Sequence, residues 1–395
     1  MSYAPQLLLS AMFAVLLLAS GGAGHAQDTR IGLIRDIYAG RAEPNDTFAP
    51  SFLQQVPAAQ VEAITRQMRT DFGPIEQISQ TEGGFEILTR SHRLSVRISV
   101  DADGLVTGLR FFEPEARTAS LAETVEAIAG LAEDVSVLVA LDGERLHALR
   151  ADDPLAVGSA FKLAVAKVLA DRIAAGDLAM DDVVRLEDAH RSLPTGFLAD
   201  FPDGAPVTIQ TAASIMIGYS GNMATDLLMD VVGRDAVAEA LGTEFVLTTR
   251  EFFALKGDET LADRYLAADD AGIKAGIAAQ AATGPLPEPA DLPAHQPGIE
   301  WDVPATRLCE LLAVEGLDEV FAVNRGPVAA GAWQDIRYKG GSETGVLNFS
   351  ARMVAADGTE ACAVVTLNDA EPIDLNRAVG LYTRLTRQLA DEIGD

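Results

Sequence analysis

Ser159-Ala160-Phe161-Lys162 sets a hydroxyl and an amine three residues apart. On a helix such a pair shares one face, one turn apart, within hydrogen-bond reach. A serine hydroxyl becomes a competent nucleophile when a base removes its proton. A lysine can be that base once desolvation and a second nearby cation lower its pKa, whereas an arginine cannot. A serine in the first turn of its helix also aims the helix dipole and its own N–H at a developing oxyanion. Lysine occurs only at positions 162, 167, 256, 274 and 339, against sixteen serines. One Ser-x-x-Lys is therefore expected roughly 0.2 times by chance, and alone it reads first as an exposed N-cap serine beside a solvated lysine.

Two further segments change that reading. Tyr219-Ser220-Gly221-Asn222 falls at the junction of a helical region starting near Thr211 and a second helix over 223–232, where a loop serine and asparagine can project into a cleft. Tyr219 is either core or cleft lining. Arg337-Tyr338-Lys339-Gly340-Gly341-Ser342 ends a strand, and its two glycines let a substrate backbone approach edge-on while Lys339 offers a fixed cation to a carboxylate.

S-x-x-K, then S-x-N, then K-[TSG]-G, in that order, is the signature of class A β-lactamases and penicillin-binding proteins. The chain resembles that family from about residue 135 to 394. The layout with a small amino-terminal domain is also similar to the β-lactamase-like cephalosporin esterases of clavulanic acid clusters. The resemblance implies that Ser159 is the acylated nucleophile and Lys162 its general base. It implies that Ser220 passes a proton to the leaving group, that Asn222 holds the substrate amide and Lys162, and that Lys339 attracts a carboxylate and tunes Ser220. The N–H groups of Ser159 and Ser342, flanking Gly341, would form the oxyanion hole, with Tyr219 beside it. Two positions depart from the pattern: Gly221 stands where β-lactamases usually have Asp, and Gly340 replaces a hydroxyl residue. Class A enzymes also use a glutamate some thirty residues past S-x-N to activate the deacylating water. Glu251 is the candidate here, although Leu255 stands where an asparagine is expected; the alternative is a surface or helix-capping glutamate.

The elements that must position these groups are legible in outline. Apolar spacing predicts a helix over 48–72, ended by Gly73-Pro74, followed by alternating strands at 84–89, 92–100 and 106–112. These make a small α+β domain over 30–115. From 120 to 394 a second, larger domain is expected. Its hairpin turns at Asp142-Gly143, an Ala-rich helix begins near Ser159, and a Pro-rich loop spans 284–304. Strands follow at 332–338, 345–355 and 361–367, then a closing helix over 374–392. The expected fold class is α+β, β-lactamase/transpeptidase-like: an antiparallel sheet flanked by helices, plus an all-helical subdomain.

A net charge of −28 repels phosphate backbones and anionic membranes, so nucleic acid is not an expected partner. Residues 1–26 read as a signal peptide cut before Gln27, which predicts a periplasmic or secreted protein with no stable membrane association afterwards. Cys309 and Cys362 are expected to be two separate buried thiols, though an oxidising compartment would let them pair. His92, His147, His190 and His295 show no paired spacing. No metal or other cofactor is expected, and no dinucleotide or phosphate loop is present. Gly218-Tyr219-Ser220-Gly221-Asn222 fails the G-x-S-x-G pattern of Ser-His-Asp hydrolases at its last position. The expected function is a serine hydrolase acting on a small β-lactam, ester or cell-wall peptide. The alternatives are a D-alanyl peptidase or esterase of the same fold, and a penicillin-binding sensor that acylates and does not deacylate.

Overall fold

Alternating side chains divide the main sheet between two cores. Its strands run in the order Asp335–Glu343, Val346–Val354, Glu360–Asn368, Asp134–Leu141, Glu144–Leu149, and every neighbour is antiparallel. Val137, Val139, Phe349, Val365 and Tyr338 point to one face. There they pack on Ile128 of the helix Leu121–Ala129 and on Leu381 and Leu385 of the helix Leu375–Asp391. Leu138 and Val364 point to the other face and join a larger core around Leu163 and Leu169. A one-residue slip would exchange the faces of every strand, so this double burial fixes the register.

The computed structural model describes residues 23–81, 83–112, 114–117, 119–193, 195–329 and 331–393. Most of the expected signal peptide, residues 1–22, lies outside them. The chain divides into two units, Met1–Arg117 and Thr118–Asp395.

In the first unit, the helices Ala23–Ala39 and Ala58–Phe72 accompany a sheet ordered Ile75–Thr81, Gly84–Thr89, His92–Val100, Val106–Phe111, with Glu115–Ala116 beside the third strand. The single helix expected over 48–72 is instead a short turn Pro50–Leu53 and the helix Ala58–Phe72. Pro50 and Pro57 are the reason. Each lacks an N–H and is tolerated only at a helix start, so each opens a new element. Strand Ile75–Thr81 escapes sequence reading because its residues, IEQISQT, include none that is buried.

In the second unit, the helix Lys162–Ala175 is apolar on almost every side and runs through the core. Each fully buried Leu or Val there contributes roughly 1.5–3 kcal/mol. Around it stand the helices Ile209–Gly218, Asn222–Val232, Arg234–Leu241 and Thr249–Lys256, which make the expected helical subdomain. No helix among the described residues is long and apolar enough to cross a membrane.

The expectation of two separate thiols is corrected: Cys309 and Cys362 are half-buried and disulfide-bonded, with Cα atoms 6.1 Å apart. The helix Ala305–Leu312 lies across the strand Glu360–Asn368 and presents one residue to the other. The bridge spans a sequence separation of 53 and limits the unfolded chain. Reducing it, or replacing both cysteines by serine, is expected to cost roughly 2–4 kcal/mol. Thermal unfolding with and without dithiothreitol checks this, and an unchanged midpoint contradicts it.

Candidate active site

Ser159 lies in a 3₁₀ turn, Gly158–Phe161, that leads into the helix Lys162–Ala175, rather than in the α-helix itself. The tighter turn matters, because residues i and i+3 eclipse in a 3₁₀ helix and Lys162 is stacked on Ser159. Lys162 Nζ is 3.1 Å from Ser159 Oγ, 2.6 Å from the Ser220 carbonyl, 3.3 Å from Ser220 Oγ and 2.7 Å from Asn222 Oδ1. A neutral amine has two N–H donors and one lone pair. The two shortest contacts can take the donors, which leaves the lone pair to accept the Ser159 hydroxyl proton.

The direction in which its surroundings push the amine agrees with this. Lys162 is fully buried, and its pKa is held well below the ordinary lysine value, first by desolvation and then by the Lys339 cation, with Asp226 opposing. Lys339, at the sheet's edge strand, donates to Ser220 Oγ at 3.0 Å and to the Gly340 carbonyl. Burial lowers it to about 7. Ser220 Oγ therefore stands between two amines. To reach that place Ser220 adopts φ +58°, a left-handed conformation costing about 1–3 kcal/mol for a non-glycine residue. Its carbonyl is fixed by Lys162 and by Thr195 Oγ1 at 2.7 Å.

Gly341 must be a glycine. A Cβ there would lie 2.0 Å from the Val157 carbonyl and 2.5 Å from Ser159 N, so the strand Asp335–Glu343 presses its bare backbone on the turn that carries Ser159. Gly158, at φ +49°, completes the approach: its Cβ would stand 3.3 Å from Ser342 N. The backbone of the turn Gly158-Ser159 and that of Gly341-Ser342 are thereby packed against each other. The two departures from the family pattern have steric causes. A side chain at 221 would start 2.6 Å from Ile215 Cγ2, and one at 340 would start 2.3 Å from the Tyr338 hydroxyl. Tyr219 is exposed and meets Phe197 edge-on at 5.7 Å beside Ser220, so it is not core.

Glu251 does not join this group. It is the N3 residue of the helix Thr249–Lys256, where its carboxylate accepts from the Thr248 N–H at 2.9 Å in a capping box. Arg234 takes the same carboxylate from the other side, at 3.1 Å through Nη1 and also through Nη2. Both oxygens are engaged in holding two helices together. The helix-capping alternative is the one its contacts match.

Two residues missed in the sequence do belong here. Thr195 bridges the Ser220 carbonyl and the Asn222 N–H, the latter at 3.1 Å. Asp226 sits one turn after Asn222 and accepts from the N–H groups of Thr249 and Arg250 at 2.7 and 2.9 Å. It is buried and pushed up to about 6 by desolvation, against those hydrogen bonds and Lys162. The i, i+4 spacing from Asn222 was the available signal for Asp226; nothing marked Thr195, which arrives from a distant loop.

Residues 120–274 match a family model described as the beta-lactamase enzyme family. The second unit has the β-lactamase-like fold. Among solved structures, a β-lactamase from Sphaerobacter thermophilus is 20% identical, with 70% of this chain and 97% of that one covered, at a TM-score of 0.50. One from Chitinophaga pinensis is 16% identical over 69% and 98% of the two chains, also at 0.50. No curated protein matches.

Two outcomes are expected from this geometry. Lys339→Ala removes the cation that lowers Lys162, so Lys162 becomes more basic. Acylation of Ser159 should then slow at neutral pH, and its acidic limb should move to higher pH; a pH–rate profile that stays in place contradicts the coupling. Glu251→Gln should cost about 2 kcal/mol of stability, through the lost cap and ion pair, with acylation rates unchanged. Paired denaturant melts and labelling kinetics would show it.

Proposed function

We propose that this chain is a serine hydrolase that works through an acyl-enzyme on β-lactams or related small esters and amides. The observation that carries the reading is the placement of Lys162 Nζ within reach of both Ser159 Oγ and Ser220 Oγ, with Lys339 on the far side of Ser220. This gives a continuous proton path. Lys162 takes the Ser159 proton as Oγ attacks the carbonyl carbon, and Ser220 hands a proton to the departing nitrogen or oxygen. The Ser159 and Ser342 N–H groups receive the oxyanion, each worth ~3–4 kcal/mol in the transition state. Asn222 holds Lys162 and the substrate amide. A substrate carboxylate beside Lys339 would restore that lysine's full charge, since an anion raises a pKa that burial has lowered. Tyr219 and Phe197 offer an apolar rim for the substrate's side chain.

The disulfide fits an oxidising compartment, in line with export to the periplasm or beyond. A second reading, a penicillin-binding sensor that stays acylated, is favoured by one observation: Glu251 is bound in a cap and an ion pair.

Intact-mass spectrometry after mixing with benzylpenicillin, nitrocefin or a cephalosporin ester tests both readings. Wild-type protein should gain the mass of one acyl group and lose it with product release, and Ser159→Ala should gain nothing. Lys162→Arg should fold and acylate at least ~100-fold more slowly, because a guanidinium cannot give up its proton. Absence of any adduct on Ser159 with all three probes would sink the acyl-enzyme reading.

A further inference from the structure

Lys339, Gly341 and Glu343 share one face of the strand Asp335–Glu343, because strand side chains alternate, and Ile336 and Tyr338 on the other face are packed in the sheet's second core. Gly341 is the residue pressed on Ser159 N. Glu343 therefore stands one side-chain step, about 6.5–7 Å, along the strand from Gly341 and on the side away from Lys339. A second path leads to the same place. The Val157 N–H donates to the Trp301 carbonyl at 3.0 Å, and Leu155–Ala156 pairs with Asp302–Val303, so Glu300 runs beside the start of the nucleophile's turn. Phe161 stacks on Trp301 at 4.1 Å, Trp301 stacks on Phe252 at 4.0 Å, and Lys256 Nζ lies 5.1 Å from the Phe252 ring centre.

Lys256, Glu300 and Glu343 meet there. Lys256 Nζ donates to Glu300 Oε1 and to Glu343 Oε2, both at 2.8 Å. The side chains of Lys256 and Glu300 have no exposure and that of Glu343 keeps 17%. Glu343 Oε1 and Glu300 Oε2 are buried and take no hydrogen bond among the described residues, so each carboxyl leaves one oxygen open beside the nucleophile's turn. One ammonium cannot neutralise two carboxylates. Burial and the Glu300 carboxyl raise Glu343 to about 8, so the pair holds a proton at neutral pH. A buried ion pair with a surplus carboxyl gains the fold little, but it is the arrangement that readies a carboxylate for proton transfer.

We propose that Glu343, positioned by Lys256 and Glu300, is the general base that takes a proton from the water that hydrolyses the Ser159 ester. The inference rests on the acyl-enzyme reading above and replaces the sensor alternative. The water gives one proton to the Glu343 carboxylate and forms a bond to the acyl carbon. The tetrahedral intermediate collapses as the bond from that carbon to Ser159 Oγ breaks, and the second water proton passes by way of Lys162 Nζ to Ser159 Oγ. The product leaves as a carboxylate and Glu343 returns its proton to solvent. Acylation and deacylation thus use bases on opposite sides of the nucleophile.

The groups facing Glu343 are Lys256 from the helix Thr249–Lys256, and Glu300 from the 284–304 loop with Asp302 behind it. His295 is also near, its N–H bonded to the Thr344 carbonyl at 2.9 Å. Because Glu300 raises Glu343, deacylation should rise with pH through about 8 in the wild type, and Glu300→Gln should move that midpoint to lower pH. A merely structural role would leave the midpoint in place.

The test is time-resolved mass spectrometry of Ser159 with benzylpenicillin and nitrocefin on wild type, Glu343→Gln and Glu300→Gln, with thermal melts alongside. The expected result is a Glu343→Gln protein that acylates within about threefold of wild type and loses its adduct at least ~100-fold more slowly. Deacylation by Glu343→Gln at the wild-type rate overturns the proposal, as does a wild type whose adduct persists. If Glu343→Gln is too unstable to label, an unmoved midpoint in Glu300→Gln overturns it alone. A wild type that forms no adduct with either probe removes the underlying reading, a failure distinct from normal labelling with Glu343-independent release.

Discussion

A primary amine buried without a salt-bridge partner is the constraint on which the rest of this unit depends. Lys162 has no exposure, and no carboxylate touches its Nζ; it is surrounded by two carbonyl-type oxygens and two hydroxyls. Desolvation of a charge costs more than those dipoles return, so burial holds the amine's pKa well below the ordinary lysine value. The neighbouring Lys339 adds like-charge repulsion. Both amines bind protons less readily folded than unfolded. They therefore withhold stability below their unfolded value of about 10.4, and the fold gains as pH rises from their lowered values toward it. The large apolar core around the helix Lys162–Ala175 is what makes that cost tolerable.

The second constraint is backbone approach. The turn that carries Ser159 lies against the edge strand at a distance no side chain permits, and Gly341 and Gly158 make that approach from the two sides. The same crowding explains the family departures at 221 and 340. Ile215 fills the space beyond one glycine and the Tyr338 hydroxyl fills the space beyond the other.

Much of this was legible before the coordinates. Ser-x-x-Lys, Ser-Gly-Asn and Lys-Gly-Gly are local spacings and can be read along the chain, whereas the meeting of the three segments around Lys162 Nζ and Ser220 Oγ is a long-range contact that their resemblance to a known motif order implied. The strands His92–Val100 and Gly84–Thr89 were readable because their alternation is clean. What was hidden depended on contacts between distant segments. Thr195 reaches Ser220 across a loop, and the Cys309–Cys362 bridge required knowing that a helix lies across a strand. Glu251 looked suitable by count along the chain, yet the Thr248–Glu251 capping box was itself a sequence pattern, and it competes for the same carboxylate.

That competition has a chemical consequence. A carboxylate that accepts from a backbone N–H and from a guanidinium has both oxygens committed to structure, as those of Glu251 are. Glu343 is in the opposite position: the cation beside it is shared with Glu300, burial works against its charge, and it ionises late. The chain thus holds two glutamates near the helix Thr249–Lys256 in opposite surroundings, one with both oxygens bound and one with a buried oxygen that takes no hydrogen bond among the described residues. Among the described carboxylates Arg234 meets Glu251, while Lys256 is divided between Glu300 and Glu343, and burial, ahead of the Glu300 carboxyl, raises Glu343 against the pull of Lys256.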